Sequence, residues 1–585
     1  MPGFFIEIEN SSKIKNFNSI DQLLESTVEE DDFFVHQRTI NKFNNDKLFI
    51  NNNNYFYILD GVILNKKSLE NKYSSEWEDV FIQMYKKNGD NFFKDFRGSF
   101  AGALFDKKNK KWIIFTDHIG SKHIYFSTNE LNMIFSTDIS LIYNYLKQND
   151  ITFSIDYDAV YMLLSYGFML EDYTLCSKIK KLLPGHYLVY KDGKHEIKQF
   201  YKISNQPDYS KTEDEFIELM DDYFRKAVKL QFDKDKEYEY NHFVGLSGGL
   251  DSRMTSCVAH ELGYTEQINF TFSQTNYLDE TIAKQIAHDF KHEWIFKALD
   301  GGDFLKNFEE ITKITGANAT YFGLAHQNSL YKLINFKNLG IIHTGQLGDV
   351  VFGTFYSSLN PQLSFKIADG ANSKTFLNKI KNLELQMLYE NQEIFNFYNR
   401  GFSGANNGLL MPQQYSETIS PFYDVELLNF ALSIPLEFRY QHKIYKKWIL
   451  KKYPKVAKYI WESEKIALDS PTIKIMKKDY YIEKIPSLIL NKTRRFFKIS
   501  NNKSKNKISK NNMNPLEYWL NTNIQLKTYL DDFFTTSIEL IDNQTLKEDI
   551  NFLYHHGTEM EQIQVITLLS FFDVFFNNRK EDTKI

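Results

Sequence analysis

The stretch His242-Phe243-Val244-Gly245-Leu246-Ser247-Gly248-Gly249-Leu250-Asp251-Ser252-Arg253 constrains the fold more than any other part of the chain. Phe243, Val244, Gly245 and Leu246 predict a short buried strand, a glycine-bearing turn follows, and a helix begins near Asp251. An amphipathic helix is predicted over 215–230, a strand over 268–272, a helix near 280–289 and a strand over 339–344. That alternation predicts an α/β fold with a doubly wound parallel sheet, whose ligand lies outside the carboxyl ends of the strands. The turn stacks backbone N–H groups beside a helix N-terminus, a ready anion site. Ser247 and Ser252 add hydroxyl donors, and Asp251 adds a carboxylate suited to hold Mg²⁺ beside phosphate groups. The lysine of the G-x-x-x-x-G-K-[ST] cradle is absent, which excludes a Walker loop.

Ahead of this unit the pattern changes. Runs such as Tyr55-Phe56-Tyr57-Ile58-Leu59, Phe100-Ala101-Gly102-Ala103-Leu104-Phe105 and Trp112-Ile113-Ile114-Phe115 alternate with Asn, Asp, Gly and Lys clusters. With helices predicted over 76–87 and 156–166, the first half reads as layered α+β. Pro207 and the polar run 205–214 mark a linker, which divides the chain into domains 1–205 and 206–585. Helical patterns dominate beyond about residue 363, and the Asn/Lys/Ser-rich run 500–513 predicts a mobile loop.

A length of 585 residues allows more than one core. With 70 basic against 75 acidic residues there is no global basic field for nucleic acid. The local runs Lys446-Lys447 and Lys492-Thr493-Arg494-Arg495 read as solvated faces. Cys176 and Cys257 form neither a disulfide framework nor a metal-ligand spacing. The beginning has an early acid, Glu7, and no basic n-region, so no signal peptide is expected. The apolar run 566–576 is interrupted by Asp573 and is too short to span a bilayer. A cytoplasmic protein with neither membrane nor nucleic-acid partner is the expectation.

Several segments carry a resemblance when taken in order. Arg97-Gly98-Ser99-Phe100-Ala101-Gly102-Ala103-Leu104-Phe105-Asp106 is similar to a glutaminase-domain sequence ending Phe-Ala-x-Ala-x-x-Asp. Thr116-Asp117-His118-Ile119-Gly120-Ser121-Lys122-His123-Ile124-Tyr125 resembles Arg-Asp-x-x-Gly-x-Lys-Pro-Leu-Tyr, and Leu183-Pro184-Gly185-His186 fits a Pro-Gly-His turn. Leu246 to Ser252 resembles the Ser-Gly-Gly-x-Asp-Ser pyrophosphate loop of ATP pyrophosphatases, and Asp279-Glu280 with Ala283 and Ala287 resembles the acidic helix after the next strand. Thr344-Gly345-Gln346-Leu347-Gly348-Asp349-Val350-Val351-Phe352-Gly353 resembles Ser-Gly-Glu-Gly-Ser-Asp-Glu-x-x-x-Gly. Pro421-Phe422-Tyr423-Asp424, Ile434-Pro435 and Lys447-Trp448-Ile449-Leu450-Lys451 resemble later landmarks of the same family. The whole series resembles the asparagine synthetase family.

The resemblance implies an Ntn-hydrolase-like glutaminase domain followed by an ATP-pyrophosphatase (PP-loop) domain with a helical C-terminal part. It implies that a carboxylate attacks the α phosphate of ATP to give an acyl-adenylate and pyrophosphate, after which an amine displaces AMP. It also implies that Ser247, Gly248, Gly249, Asp251 and Ser252 receive the phosphates. Leu246, Phe272, Thr344 and Gly345 would hold AMP, and Asp251 and Asp349 would ligate Mg²⁺. Lys447 would offset charge at the reacting centre, and Gln346 stands where the family handles the incoming amine.

The departures are as specific as the matches. The family's glutaminase uses a cysteine at position 2, and Pro2 stands here. Its Asn-Gly-Glu glutamine grip appears as Asp60-Gly61-Val62. Gln346 replaces a glutamate that would suit deprotonation of ammonia, which a glutamine cannot do at neutral pH. Val350 replaces the acid after the loop aspartate. A lost glutaminase beside a kept pyrophosphate loop is the combination found in β-lactam and lasso-peptide macrolactam synthetases. The expectation is an AMP-forming amide ligase without its own glutamine hydrolysis, acting on a small-molecule or peptide acid and an amine or ammonia. A separate glutaminase, a precursor-binding partner or a homodimer fits that expectation. The alternatives are cyclisation or amidation of a specialised metabolite or polysaccharide acid, and a catalytically silent scaffold. A tRNA sulfur-transfer role would need a reactive cysteine pair and a basic face, and the chain has neither.

Overall fold

The computed structural model describes residues 2–8, 23–128, 133–361, 364–381, 383–475, 478–486 and 509–576. The basic run at 492–495 and most of 500–513 lie outside the described residues.

The first half is built on two antiparallel six-stranded sheets. Its strands are β1 (Gly3–Ile8), β2 (Leu23–Glu30), β3 (Phe33–Ile40), β4 (Leu48–Asn51), β5 (Tyr55–Ile63) and β6 (Gly98–Asp106), then β7 (Lys111–Thr116), β8 (Tyr125–Thr128), β9 (Met133–Ser136), β10 (Ile179–Lys181), β11 (His186–Lys191) and β12 (Lys194–Gln199). The orders are β10-β8-β9-β1-β3-β2 and β12-β11-β7-β6-β5-β4. Period-2 alternation sets the layers. Phe4, Ile6, Phe33 and Val35 point inward against Phe56, Ile58, Ala101 and Ile114 of the second sheet. The alternate residues Tyr57, Leu59, Leu104 and Ile113 pack outward on helices α1 (Lys66–Tyr73) and α2 (Trp77–Asn88). On the far side, Phe5, Phe34 and Ile134 meet α3 (Ile139–Gln148) and α4 (Tyr157–Tyr166). The strands and both helices expected here form, each within a few residues of its expected limits.

The second half is a five-stranded parallel sheet. Its strands are β13 (Asn241–Gly245), β14 (Gln267–Ser273), β15 (Glu293–Ala298), β16 (Leu339–His343) and β17 (Thr418–Ile419), in the order β15-β14-β13-β16-β17. Helices α5 (Glu213–Glu237), α6 (Leu250–Glu261) and α7 (Leu278–Phe290) pack on the Val244 side, and the helix Phe322–Tyr331 packs on the Phe243 side. Helices on both faces make the sheet doubly wound, and the order reverses between β13 and β16. The chain enters through a capping box, Thr212 with Glu215, that fixes the start of α5. The segment ahead of α5 is tied down: the Asp208 N–H donates to Ser433 O, and Asn205 binds Asn391 and Glu393.

The apolar run ending at 576 forms the helix Glu559–Phe575, buried nearly all round and packed against the helices Phe308–Thr315, Ile524–Ser537 and Gln544–His556 as well as α4. A helix apolar on every side belongs in such a position. Among the described residues no helix is long and apolar enough to cross a membrane.

The two halves are joined by charge and by packing. Arg97 donates to both carboxylate oxygens of Asp424 at 2.7 Å and reaches Glu426 at 2.8 Å. Phe43 and Val62 pack with Ile341 and Ile419 of the parallel sheet.

Candidate functional site

A cavity of about 430 Å³ opens at the carboxyl ends of β13, β14 and β16, beside the reversal in strand order. The structure brings Leu246, Ser247, Gly249, Ser252, Phe272, Thr344, Gly345 and Gln346 to its walls. These residues lie at the ends of three strands that are adjacent in space and distant in sequence. The Leu246 N–H donates to Phe270 O at 2.9 Å, and Thr271 Oγ1 donates to Leu246 O at 2.7 Å, so neighbouring strand ends hold the loop's entry.

Glycine permits the close approach of the loop after β16. A Cβ on Gly345 would lie 2.2 Å from Ser252 N, and one on Gly348 would lie 2.5 Å from Asp251 Cγ. Leu347 adopts a left-handed φ of 66° between them. The loop therefore lies against the first turn of α6, which brings Asp349 to Asp251. The Asp349 N–H donates to Asp251 Oδ2 at 3.0 Å, and Tyr445 OH donates to Asp251 Oδ1 at 2.9 Å. Burial, reinforced by the charge of Asp349, pushes the Asp251 carboxyl up to about 8. Two carboxylates this close are a suitable oxygen donor set for Mg²⁺, which would offset their charge.

The loop N–H groups are engaged within the protein. Ser247 N–H donates to Ser252 Oγ (3.0 Å), Gly248 N–H to Asp279 Oδ1 (2.8 Å) and Gly249 N–H to Ser247 Oγ (3.2 Å). Buried amides require acceptors, and here side chains supply them. Asp279 is pushed up to about 6 by burial; the Gly248 N–H counters that shift, and Glu462 adds to it. Beneath the loop, Arg253 is fully buried and donates to the carbonyls of Gly248 (2.9 Å), Ile460 (2.6 Å) and Tyr459 (3.2 Å). It ties the loop to the hairpin of Ile460–Trp461 and Ile466–Ala467, from which Glu462 enters the cavity. Gln346 Nε2 donates to Ala405 O at 2.5 Å.

The expectation for Lys447 is corrected by its placement. Its side chain is 45% exposed and pairs with Glu213 of α5, while Lys443 and Lys451 pair with Glu213 and Asp214 on the same side. Lys447 follows Tyr445 by two residues, which places the two on different faces of the helix Lys443–Lys452. Tyr445 faces Asp251, so Lys447 faces away. Lys446 turns toward the hairpin instead, with Nζ 5.8 Å over the Trp461 ring.

In the first half, Asp60 lies in a buried charge cluster. Lys122 Nζ donates to Asp60 Oδ2 at 2.9 Å and lies 3.1 Å from Glu417 Oε2. Lys47 lies 3.8 Å from Asp60 and 3.7 Å from Glu417, and Thr39 Oγ1 donates to Asp60 at 2.8 Å. Val62 is fully buried between the domains. Burial pushes the Cys176 and Cys257 thiols up to about 11 and about 12, so neither is a thiolate at neutral pH. Tyr445, Glu462 and Arg253 were not legible in the sequence as site residues. Tyr445 meets Asp251 across 194 residues and Arg253 meets the Tyr459 carbonyl across 206.

With this geometry in place, comparison with known proteins gives two family matches. Residues 36–201 match a glutamine amidotransferase domain, and residues 219–401 match asparagine synthase. Among curated proteins, the chain is 28% identical over 320 residues to a putative asparagine synthetase (glutamine-hydrolysing) 2 of Methanocaldococcus jannaschii, covering 52% of this chain and 59% of that one. It is 25% identical over 269 residues to asparagine synthetase (glutamine-hydrolysing) 1 of Bacillus subtilis, covering 44% and 41%. It is 26% identical over 302 residues to amidase chry2 of Gibberella zeae, covering 47% and 43%. The matched region therefore spans less than two thirds of each of these relatives.

Proposed function

Starting from an asparagine synthase-related chain, with a glutamine amidotransferase domain ahead of an asparagine synthase domain, we propose an ATP-dependent, AMP-forming amide ligase that works through an acyl-adenylate. The observation that carries this reading is the meeting of Asp251 and Asp349 at the first turn of α6, whose neighbouring residues Gly249 and Ser252 line the strand-end cavity. Chain segments almost 100 residues apart there present a paired oxygen donor set beside a glycine loop.

In this reading ATP lies across the ends of β13, β14 and β16, with its phosphates toward Ser247–Ser252, and the loop amides exchange their side-chain acceptors for phosphate oxygens. Asp251 and Asp349 would hold Mg²⁺, which would supply charge screening for the triphosphate and for the leaving pyrophosphate. Tyr445 and the Asp349 amide fix the orientation of the Asp251 carboxylate. A carboxylate oxygen of the acid attacks the α phosphorus, the bond to the β-phosphate bridging oxygen breaks, and pyrophosphate leaves. The amine then attacks the acyl carbon, loses a proton and releases AMP. Gln346 is neither acid nor base, so its part is positional. That favours an amine arriving on a substrate over free ammonia deprotonated by the protein.

We further propose that the first domain does not hydrolyse glutamine. The support is the fate of the segment the resemblance assigns to gripping glutamine: Asp60 is neutralised by Lys122 and Lys47, and Val62 is buried against the second domain. The same division of labour fits the domain boundary at 205/206 and leaves the first domain as a wall and support of the second.

The test is ATP–pyrophosphate exchange by the full chain with Mg²⁺ and a panel of acids, with Asp251→Asn as control. Acid-dependent exchange that Asp251→Asn abolishes supports the ligase. ATP binding without exchange for any acid, or no ATP binding at all, overturns it in favour of the silent scaffold.

A further inference from the structure

We propose that Arg400 is the cation that receives the β and γ phosphates of ATP, and then the leaving pyrophosphate; the inference rests on the ligase reading above. Lys447 is paired away from the loop, so the negative charge of a triphosphate has to be met by another group. Arg400 belongs to the segment Phe397–Gly404, a widened (π) turn of helix. Such turns re-aim side chains and recur at functional sites. This one lies on the loop after β16. A Cβ on Gly401 would lie 3.6 Å from Leu347 Cδ1, and four residues further on Ala405 O accepts from Gln346 Nε2. Asp349 follows Leu347 by two residues and is the acid that faces Arg400. Its charge opposes the lowering of the guanidinium by burial.

The guanidinium is held in place, yet its donors are open. Arg400 Cζ lies 5.1 Å from the centroid of the Phe355 ring. Gly370 packs on the stem so closely that a Cβ there would lie 2.5 Å from Arg400 Cδ and 3.0 Å from Nε. Arg97, Arg253 and Arg439 are committed to Asp424, to three backbone carbonyls and to Glu393. Among the described residues Arg400 has no carboxylate within 4.0 Å and its side chain makes no hydrogen bond. It is also the one exposed residue of its segment, so a ligand can reach it. A planar guanidinium meets two phosphate oxygens at once. Mg²⁺ would offset Asp251 and Asp349, and the anions then left for Arg400 are the phosphate oxygens beyond the α phosphorus.

The test is calorimetric titration of the full chain with ATP and with AMP, both with Mg²⁺, for native protein, Arg400→Ala and Arg400→Lys, alongside pyrophosphate exchange. Arg400→Ala should weaken ATP binding at least about tenfold and leave AMP binding within about twofold, because AMP lacks the two phosphates. Arg400→Lys, a cation without the planar fork, should fall between native and Arg400→Ala. In exchange, the half-saturating pyrophosphate concentration should rise by a similar factor in Arg400→Ala while that of the acid stays the same. Unchanged ATP affinity in Arg400→Ala overturns the inference. An equal loss for ATP and AMP overturns it too, because that marks a structural role. A native chain that binds ATP but exchanges pyrophosphate with no acid counts against the ligase reading, and the comparison of ATP with AMP still decides the role of Arg400.

Discussion

Replacing Lys122 by methionine removes the cation that holds two buried carboxylates together. Lys122 lies 2.9 Å from Asp60 and 3.1 Å from Glu417, and Lys47 stands 3.8 and 3.7 Å from the same two acids. None of the four side chains is more than 10% exposed, so solvent screens the group weakly. Two cations balance two anions, and the substitution leaves one negative charge in excess at depth. Breaking a buried pair on one side costs about 3–5 kcal/mol. Because Lys47 remains within 4 Å of both acids, we expect the lower end, about 3 kcal/mol. Adding Asp60→Asn restores the balance as Lys47 with Glu417 and should recover at least about half of that loss. The pH dependence has a definite sign. Burial opposes ionisation of Asp60, but Lys122 and Lys47 outweigh it and hold the carboxyl below its usual range. Native Asp60 therefore contributes stability above its unfolded value near about 3.9, and that contribution is lost as pH falls through the lower folded value. In Lys122→Met, protonation relieves the unpaired charge, so the deficit against native protein should shrink between pH 7 and pH 4. Urea titrations followed by far-UV circular dichroism at both pH values measure this. A loss below about 1 kcal/mol at pH 7, or no recovery in the double variant, would refute the reasoning.

Three further outcomes follow from the second domain. Lys447→Ala should leave pyrophosphate exchange within twofold of native and change stability by less than about 0.5 kcal/mol, as measured by exchange kinetics and thermal melts; a hundredfold loss of exchange would return Lys447 to the site. Tyr445→Phe should raise the Mg²⁺ concentration for half-maximal exchange about threefold to tenfold with little change for ATP, because it frees one oxygen of Asp251; a purely structural role would shift both curves together. Gly345→Ala forces a Cβ to 2.2 Å from Ser252 N, so exchange should fall at least about a hundredfold and stability by about 1–3 kcal/mol; a near-native Gly345→Ala enzyme would mean that the loop does not lie against α6 as described.

The sequence carried the fold well where signals are local. The run Phe243 to Leu246, the glycines after it and the apolar spacing of α6 lie within one short unit, and strand, turn and helix formed as expected. The antiparallel half was legible for the same reason: alternation at Tyr57, Leu59, Leu104 and Ile113 is a local record of which face is buried. Residues brought together over long separations were less legible. Asp251 was read from its glycine loop and Asp349 through motif resemblance, and Tyr445 carries no motif at all. Lys447 was misplaced because a lysine-rich helix offers cations on several faces, and only the packing of Lys443–Lys452 against α5 decides which one faces the loop. The cluster of Lys47, Asp60, Lys122 and Glu417 draws on four segments, and composition does not reveal which charges become buried together.

The central claim is that the strand-end cavity cleaves ATP between its α and β phosphates to make an acyl-adenylate. The most direct measurement is the nucleotide product formed with ATP, Mg²⁺, an accepted acid and hydroxylamine as the trapping amine. The account predicts AMP, pyrophosphate and an acyl hydroxamate in equal amounts, all lost in Asp251→Asn. ADP and inorganic phosphate as products, or AMP formed equally well by Asp251→Asn, would contradict it.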